Sequence, residues 1–97
     1  MAIKIIKFSS TWCAPCKLMT PIFEKISGMD EFKNVQFQSF DIETDEEGIE
    51  LVETYNIKNV PTIVVVNSNG NVLRKIIGAI QEKELVSILK ETINNAI

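Results

Sequence analysis

Hydrophobic and polar positions follow two different periods along this chain, and the changes of period mark its elements. Residues 3–8, Ile3-Lys4-Ile5-Ile6-Lys7-Phe8, are apolar apart from two lysines and run into Ser9-Ser10-Thr11. That pattern predicts a buried strand entering a loop. From Cys13 to about Ser27 the apolar positions Leu18, Met19, Ile22, Phe23 and Ile26 recur at helical spacing, and Gly28 follows as a stop. Pro21 lies inside this helix, removes one backbone hydrogen bond and predicts a kink. Val35 to Ile42 reads as a strand, with Val35 and Phe37 in one phase and Phe40 and Ile42 in the other, as if the phase slipped between them.

Thr44-Asp45-Glu46-Glu47 has the capping-box pattern, a Thr followed three residues later by Glu, and predicts the start of a helix carrying Ile49, Leu51, Val52 and Tyr55. Asn56 is placed to end it in the left-handed conformation that Asn tolerates. Thr62 to Val66 is a short buried strand, Asn67-Ser68-Asn69-Gly70 a hairpin turn, and Val72 to Ile77 an antiparallel return strand. A last helix runs from about Glu82 to Asn95 and buries Leu85, Ile88, Leu89 and Ile93. The order is β-α-β-α-β-β-α. Strand–helix–strand units favour parallel pairing and the final hairpin adds an antiparallel edge. An α/β fold follows, with a four-stranded mixed sheet and helices on both faces.

Composition narrows the class. A chain of 97 residues has room for one domain, 1–97, with one real core. Its 45% hydrophobic and 24% charged residues are those of a globular protein, not a disordered one. Apolar runs such as Ile63-Val64-Val65-Val66 fall far short of the ~20 residues that span a bilayer. The net charge is −3 and Lys and Arg are scattered singly, so neither a nucleic-acid stripe nor a basic membrane-surface helix is present. The N-terminal stretch is interrupted by lysines and has no small-residue cleavage site, making it a poor signal peptide and a good strand. A cytoplasmic location is expected, where a lone cysteine pair is more often catalytic or metal-binding than structural.

The cysteines are Cys13 and Cys16, in Trp12-Cys13-Ala14-Pro15-Cys16-Lys17, where the first strand's loop meets the first helix. Two intervening residues let the sulfurs bond across one helical turn. A helix N-terminus carries partial positive charge and free N–H groups, which favour a thiolate at Cys13. Cys16, one turn in, is expected to be more buried, and Pro15 rigidifies the first turn without needing an N–H partner. Tetrahedral zinc wants four N or S ligands, and the chain has no His and no further Cys, so a zinc site would need a second chain or carboxylates, and an iron–sulfur cluster would have to bridge two chains. A structural disulfide across so short a loop stabilises little. A redox role is favoured, with no cofactor and no metal.

With Trp12-Cys13-Ala14-Pro15-Cys16-Lys17, Pro21, Val60-Pro61-Thr62 and Gly78-Ala79 in view, the chain resembles the thioredoxin family over essentially its whole length. The extra N-terminal strand and helix of full-length thioredoxins are not represented, a layout similar to glutaredoxins and short thioredoxins. The resemblance implies a protein disulfide reductase in which Cys13 attacks and Cys16 resolves, supported by Ala14, Pro15 and Lys17. It makes Pro61 the family's cis-proline and gives Val60 a backbone that pairs with an extended substrate segment. Trp12, Val60, Pro61, Gly78 and Ala79 become the apolar substrate face. The implied partners are disulfide-containing proteins and a thioredoxin-reductase-type electron donor, and a monomer is expected.

Three positions depart from the family. Lys7 stands where thioredoxins usually bury an Asp, Ser39 where a Lys often partners that Asp, and Ser9 where many carry a further Trp. The carboxylate's part in proton transfer therefore does not carry over. Lys7 either supplies positive charge that lowers the thiol pKa or snorkels to solvent from a sheet edge. Two alternatives stand beside the reductase. One is a glutaredoxin-like, glutathione-dependent enzyme, against which Asn59-Val60-Pro61 and Ile77-Gly78-Ala79-Ile80 lack that family's typical residues. The other is a thioredoxin-fold binding module with idle cysteines.

Overall fold

The computed structural model describes residues 2–96 and builds them around one four-stranded sheet of order β2-β1-β3-β4. In chain order the elements are β1 (Lys4–Ser9), α1 (Ala14–Ser27), a 3-10 turn (Asp30–Phe32), β2 (Gln36–Asp41), α2 (Glu46–Thr54), β3 (Thr62–Val66), β4 (Val72–Ile77) and α3 (Glu82–Asn95). β1 pairs with β2 in parallel and with β3 antiparallel, and β4 closes one edge antiparallel to β3. The expected parallel pairing therefore holds for the first strand–helix–strand unit only. After α2 the chain passes over β1 and returns beside it in the opposite direction, which makes β1 and β3 the central strands.

Both faces of those central strands are covered, and successive residues divide between them as strand geometry requires. Ile5, Ile63 and Val65 pack with Met19, Phe23 and Ile26 of α1 and with Leu85 and Leu89 of α3. Ile6, Phe8, Val64 and Val66 face the other way, onto Leu51 and Val52 of α2. The two phases of the second strand have the same cause. β2 pairs with β1 residue for residue from Lys4–Gln36 to Ser9–Asp41, without a slip. Phe37 stacks edge-on against Phe23 and Phe32 on the α1 side, whereas Phe40 lies 6.3 Å from Phe8 on the α2 side. A strand with two cores shows apolar residues in both phases.

Other local expectations meet the structure unevenly. Asn56 has φ +54° and follows α2. The capping box does not form: Asp45, not Thr44, is the N-cap, and its carboxylate turns back to accept the Asp41 N–H at 2.7 Å. Gly48, in the first turn of α2, is required by closeness, since a Cβ there would sit 2.8 Å from the Phe40 Cβ and 3.1 Å from the Asp41 carbonyl oxygen. Leu18, expected on the apolar stripe of α1, is 66% exposed. It lies at the edge of the stripe formed by Met19, Ile22, Phe23 and Ile26, a quarter-turn from its centre. No helix among the described residues is long and apolar enough to cross a membrane.

Candidate active site

The loop after β1 delivers Cys13 to the N-cap of α1 in an extended conformation, and Ala14 and Pro15 then occupy the first helical positions. Proline fits there because the N–H it lacks would have no intrahelical acceptor. Cys13 donates its own N–H to the Ser10 carbonyl at 3.3 Å, and its carbonyl accepts from Lys17 at 3.4 Å. Its sulfur takes the place of a capping oxygen: the Cys16 N–H points at Cys13 Sγ from 3.2 Å. Negative charge on this sulfur is thus met by a hydrogen-bond donor and by the positive end of the helix. The two sulfurs are joined in a disulfide, with the Cα atoms 5.2 Å apart. Cys16 is 2% exposed against 5% for Cys13.

Across from the disulfide lies the loop that enters β3. The Val60–Pro61 peptide bond is cis, and the Val60 carbonyl oxygen is 3.6 Å from Cys13 Sγ. The Pro61 carbonyl accepts the N–H of Gly78 at 2.8 Å, which ties the end of β4 to this loop, and Gly78 has φ +92°, a conformation that favours glycine. Thr62 Oγ1 donates to the Asn59 carbonyl at 2.6 Å and fixes the other side of the turn.

Apolar surface flanks the disulfide on two sides. Trp12 is 67% exposed, with its indole N–H donating to Glu43 Oε1 at 2.6 Å. It shares with Val60, Ile42, Val52 and Ile57 a groove of about 410 Å³. Ala79 lies in a separate depression of about 300 Å³ with Leu18, Met19, Ile22 and Ile80. The predicted substrate face is therefore two grooves: Trp12 and Val60 line one and Ala79 the other. Glu43 and Leu18 belong to this surface, although the sequence gives Glu43 no role there and places Leu18 on the apolar stripe of α1. A partner for the lone tryptophan's N–H was the signal for an acid near it, and the stripe-edge position was the signal for Leu18.

Lys7 is not at a sheet edge and does not reach solvent. It sits in central β1, is 2% exposed, and points to the α1 side, where its Nζ donates to Thr20 Oγ1 at 3.0 Å and lies 5.6 Å from the Phe23 ring centre. Burial pushes its pKa down from the usual lysine value, and the charge of Glu24 opposes that shift. Its register partner on β2 is Ser39, so the two positions that depart from the family are neighbours in the sheet. Among the described residues no group of three or more His, Cys, Asp or Glu side chains is placed to hold a metal ion.

The chain and its fold have relatives among known proteins. The thioredoxin family model matches residues 2–91. A thioredoxin of Buchnera aphidicola is 36% identical over 93% of this chain and 79% of its own length. Thioredoxin H2-1 of Oryza sativa is 33% identical over 93% of this chain and 57% of its own, so the chain spans little more than half of that relative. The crystal structure of Malassezia sympodialis thioredoxin (Mala s 13) superposes with a TM-score of 0.78 at 28% identity, covering 93% of this chain and 74% of that one. The chain belongs to the thioredoxin family.

Proposed function

We propose that this chain is a thiol–disulfide oxidoreductase that reduces disulfides in protein substrates, with Cys13 as the attacking sulfur and Cys16 as the resolving one. The observation that carries the reading is the N-cap geometry: Cys13 Sγ receives the Cys16 N–H at 3.2 Å, at a helix N-terminus and next to exposed Trp12. A helix N-terminus and a donated N–H both favour the thiolate over the thiol at such a sulfur. The thiolate attacks one sulfur of the substrate disulfide, and the other sulfur leaves as a thiolate and takes a proton. Cys16 then gives up its proton and attacks Cys13 Sγ, which releases the second substrate thiol and leaves the Cys13–Cys16 disulfide. Two electrons pass from the dithiol to the substrate.

An extended substrate segment adds along the Val60 backbone beside Cys13, and an apolar side chain of that segment enters the groove of Trp12 and Val60. Pro61, Gly78 and Ala79 complete the docking surface. A thioredoxin-reductase-type donor regenerates the dithiol in the cytoplasm. The family membership and the cysteine pair support thiol–disulfide chemistry in general, while the direction, donor and compartment belong to this proposal.

The test is insulin reduction driven either by thioredoxin reductase or by glutathione. Turnover with the reductase, together with its loss in Cys13→Ser, is the expected result. Cys16→Ser should attack but not resolve, so it should accumulate a mixed disulfide visible on a non-reducing gel. Turnover with glutathione alone would transfer the chain to the glutaredoxin type of activity, and trapping through Cys16 instead of Cys13 would reverse the assigned roles.

A further inference from the structure

Among the described residues Lys7 is the buried ionisable side chain that the exchange steps leave unused. We propose that Lys7 is a positioning residue of the redox centre: its ammonium, held against α1 by Thr20, stabilises the thiolate form of the Cys13–Cys16 pair and so favours the reduced state. The proposal rests on the redox reading of the cysteines given above.

Two hydrogen bonds connect the ammonium to the active-site turn. Lys7 Nζ donates to Thr20 Oγ1 at 3.0 Å, and the same hydroxyl donates to the Cys16 carbonyl at 3.2 Å. With its own hydrogen spent on that carbonyl, Thr20 Oγ1 can only accept from Nζ, so the donor is fixed as the lysine. Neighbours on the sheet leave the charge without a counter-ion, since the register partners of Lys7 are Ser39 and Ile63. From α1 the packed groups are Thr20 and the Phe23 ring, and Glu24 is the carboxylate whose charge acts on it. Exposed Lys17 and half-buried Asp41 line, with Thr20 and Cys16, a groove of about 320 Å³ open to solvent.

Burial decides which of these charges matters at the sulfurs. Lys17 is hydrated and screened by salt, whereas a cation enclosed between sheet and helix is screened much less. A buried ammonium is costly and an apolar side chain of similar length would fill the same space at lower cost. The disulfide carries no charge and offers this ammonium nothing. The thiolate does, so the stabilisation falls on the reduced form alone, and whatever favours that form makes the pair more oxidising. By linkage the thiolate must in turn hold the proton on Lys7 more tightly.

The experiment compares wild type with Lys7→Met, which keeps the unbranched stem and deletes the charge, in glutathione redox titrations and in pH profiles of iodoacetamide alkylation. The variant's redox equilibrium should move three- to tenfold toward the disulfide, tenfold being ~30 mV for two electrons, and the cysteine pKa should rise by about half a unit or more. Thr20→Val, which frees the ammonium from α1, should move both readouts in the same direction by less. Altered folding stability alone would move neither. If Lys7→Met does not fold, the Lys7 Cε resonance of wild type is titrated by NMR in the oxidised and reduced states, and its pKa should be higher in the reduced one. Unchanged equilibrium and unchanged cysteine pKa in a folded variant, or equal Lys7 pKa values in the two states, would overturn the proposal. A wild-type pair that fails to cycle in the titration would overturn the redox reading itself; a pair that cycles identically with and without Lys7 would remove only the lysine's role.

Discussion

Lys7, on β1 and enclosed beneath α1, bears on the protein's stability through its own titration. Its pKa in the folded state lies below the 10.5 of the free side chain, chiefly through desolvation, with Glu24 pulling the other way. Between that lowered value and pH 10.5 the unfolded chain holds more protons at this site than the folded one, so stability rises with pH through the window. Below the window the full cost of burying the charge is present. Removing the ammonium should therefore stabilise the oxidised protein most at neutral pH, and the advantage of Lys7→Met should shrink as pH approaches 10.5. Urea midpoints of both proteins, measured at several pH values, check this; a difference independent of pH would mean that Lys7 titrates alike in the folded and unfolded chains. The lysine at this position was visible in the sequence, but its surroundings were not. Snorkelling needs an open edge, and whether β1 is an edge or a centre depends on where β3 pairs.

At the scale of elements, α2 shows how competing hydrogen bonds choose a helix terminus. Thr44 and Glu47 have the spacing for reciprocal capping, yet the Asp41 carboxylate takes the N–H groups of Glu43 and Thr44 at 2.8 and 3.1 Å. Asp45 answers by accepting the Asp41 N–H. The loop closes on these two aspartates, and the helix starts one residue later than the sequence pattern predicts. Its other end is finished from a distant strand: Lys75 of β4 donates through Nζ to the carbonyls of Tyr55 and Asn56 at 2.8 and 3.3 Å. Those carbonyls lie at the negative end of the helix dipole, where a cation is favourable. Lys75→Met should cost ~1 kcal/mol and raise amide exchange across 53–57, with little effect on α1. Exchange that increased equally over the whole chain would show that Lys75 acts on global stability and not on this terminus.

For the molecule as a whole, the sheet is a partition between two apolar clusters, and β1 and β3 contribute to both. Ile5 and Ile6 are adjacent in sequence, 0% and 1% exposed, and belong to opposite clusters. In a strand with one wet face only one of such a pair would matter. Here Ile5→Ala and Ile6→Ala should each cost ~2–5 kcal/mol, a large share of the ~5–15 kcal/mol that holds a domain of this kind together. Urea unfolding followed by circular dichroism gives both numbers, and a cost below ~1 kcal/mol for either would contradict double-sided burial of β1. The same two-layer arrangement brings the ends of β1, α1 and the β3 entry to one edge, where Cys13 and the Val60 carbonyl meet.

Sequence alone determined the features that depend on neighbours within a few residues. Helical and strand periods placed the elements, Asn56 and the Asn67–Gly70 turn placed two reversals, and the Cys13–Cys16 spacing, which spans a single helical turn, pointed to thiol–disulfide chemistry. Only the tertiary structure decided what depends on partners far along the chain. The pairing of β3 against β1 made β1 central and buried Lys7. Double coverage gave Phe37 and Phe40 opposite faces without a slip, and the approach of α2 to β2 made Gly48 necessary. Glu43 met Trp12 across 31 residues, and Cys13 met Val60 across 47. Local conformation is set by bonds and sterics that a short stretch of chain contains, whereas burial, charge environment and side-chain partners are properties of packing and exist only once distant segments have come together.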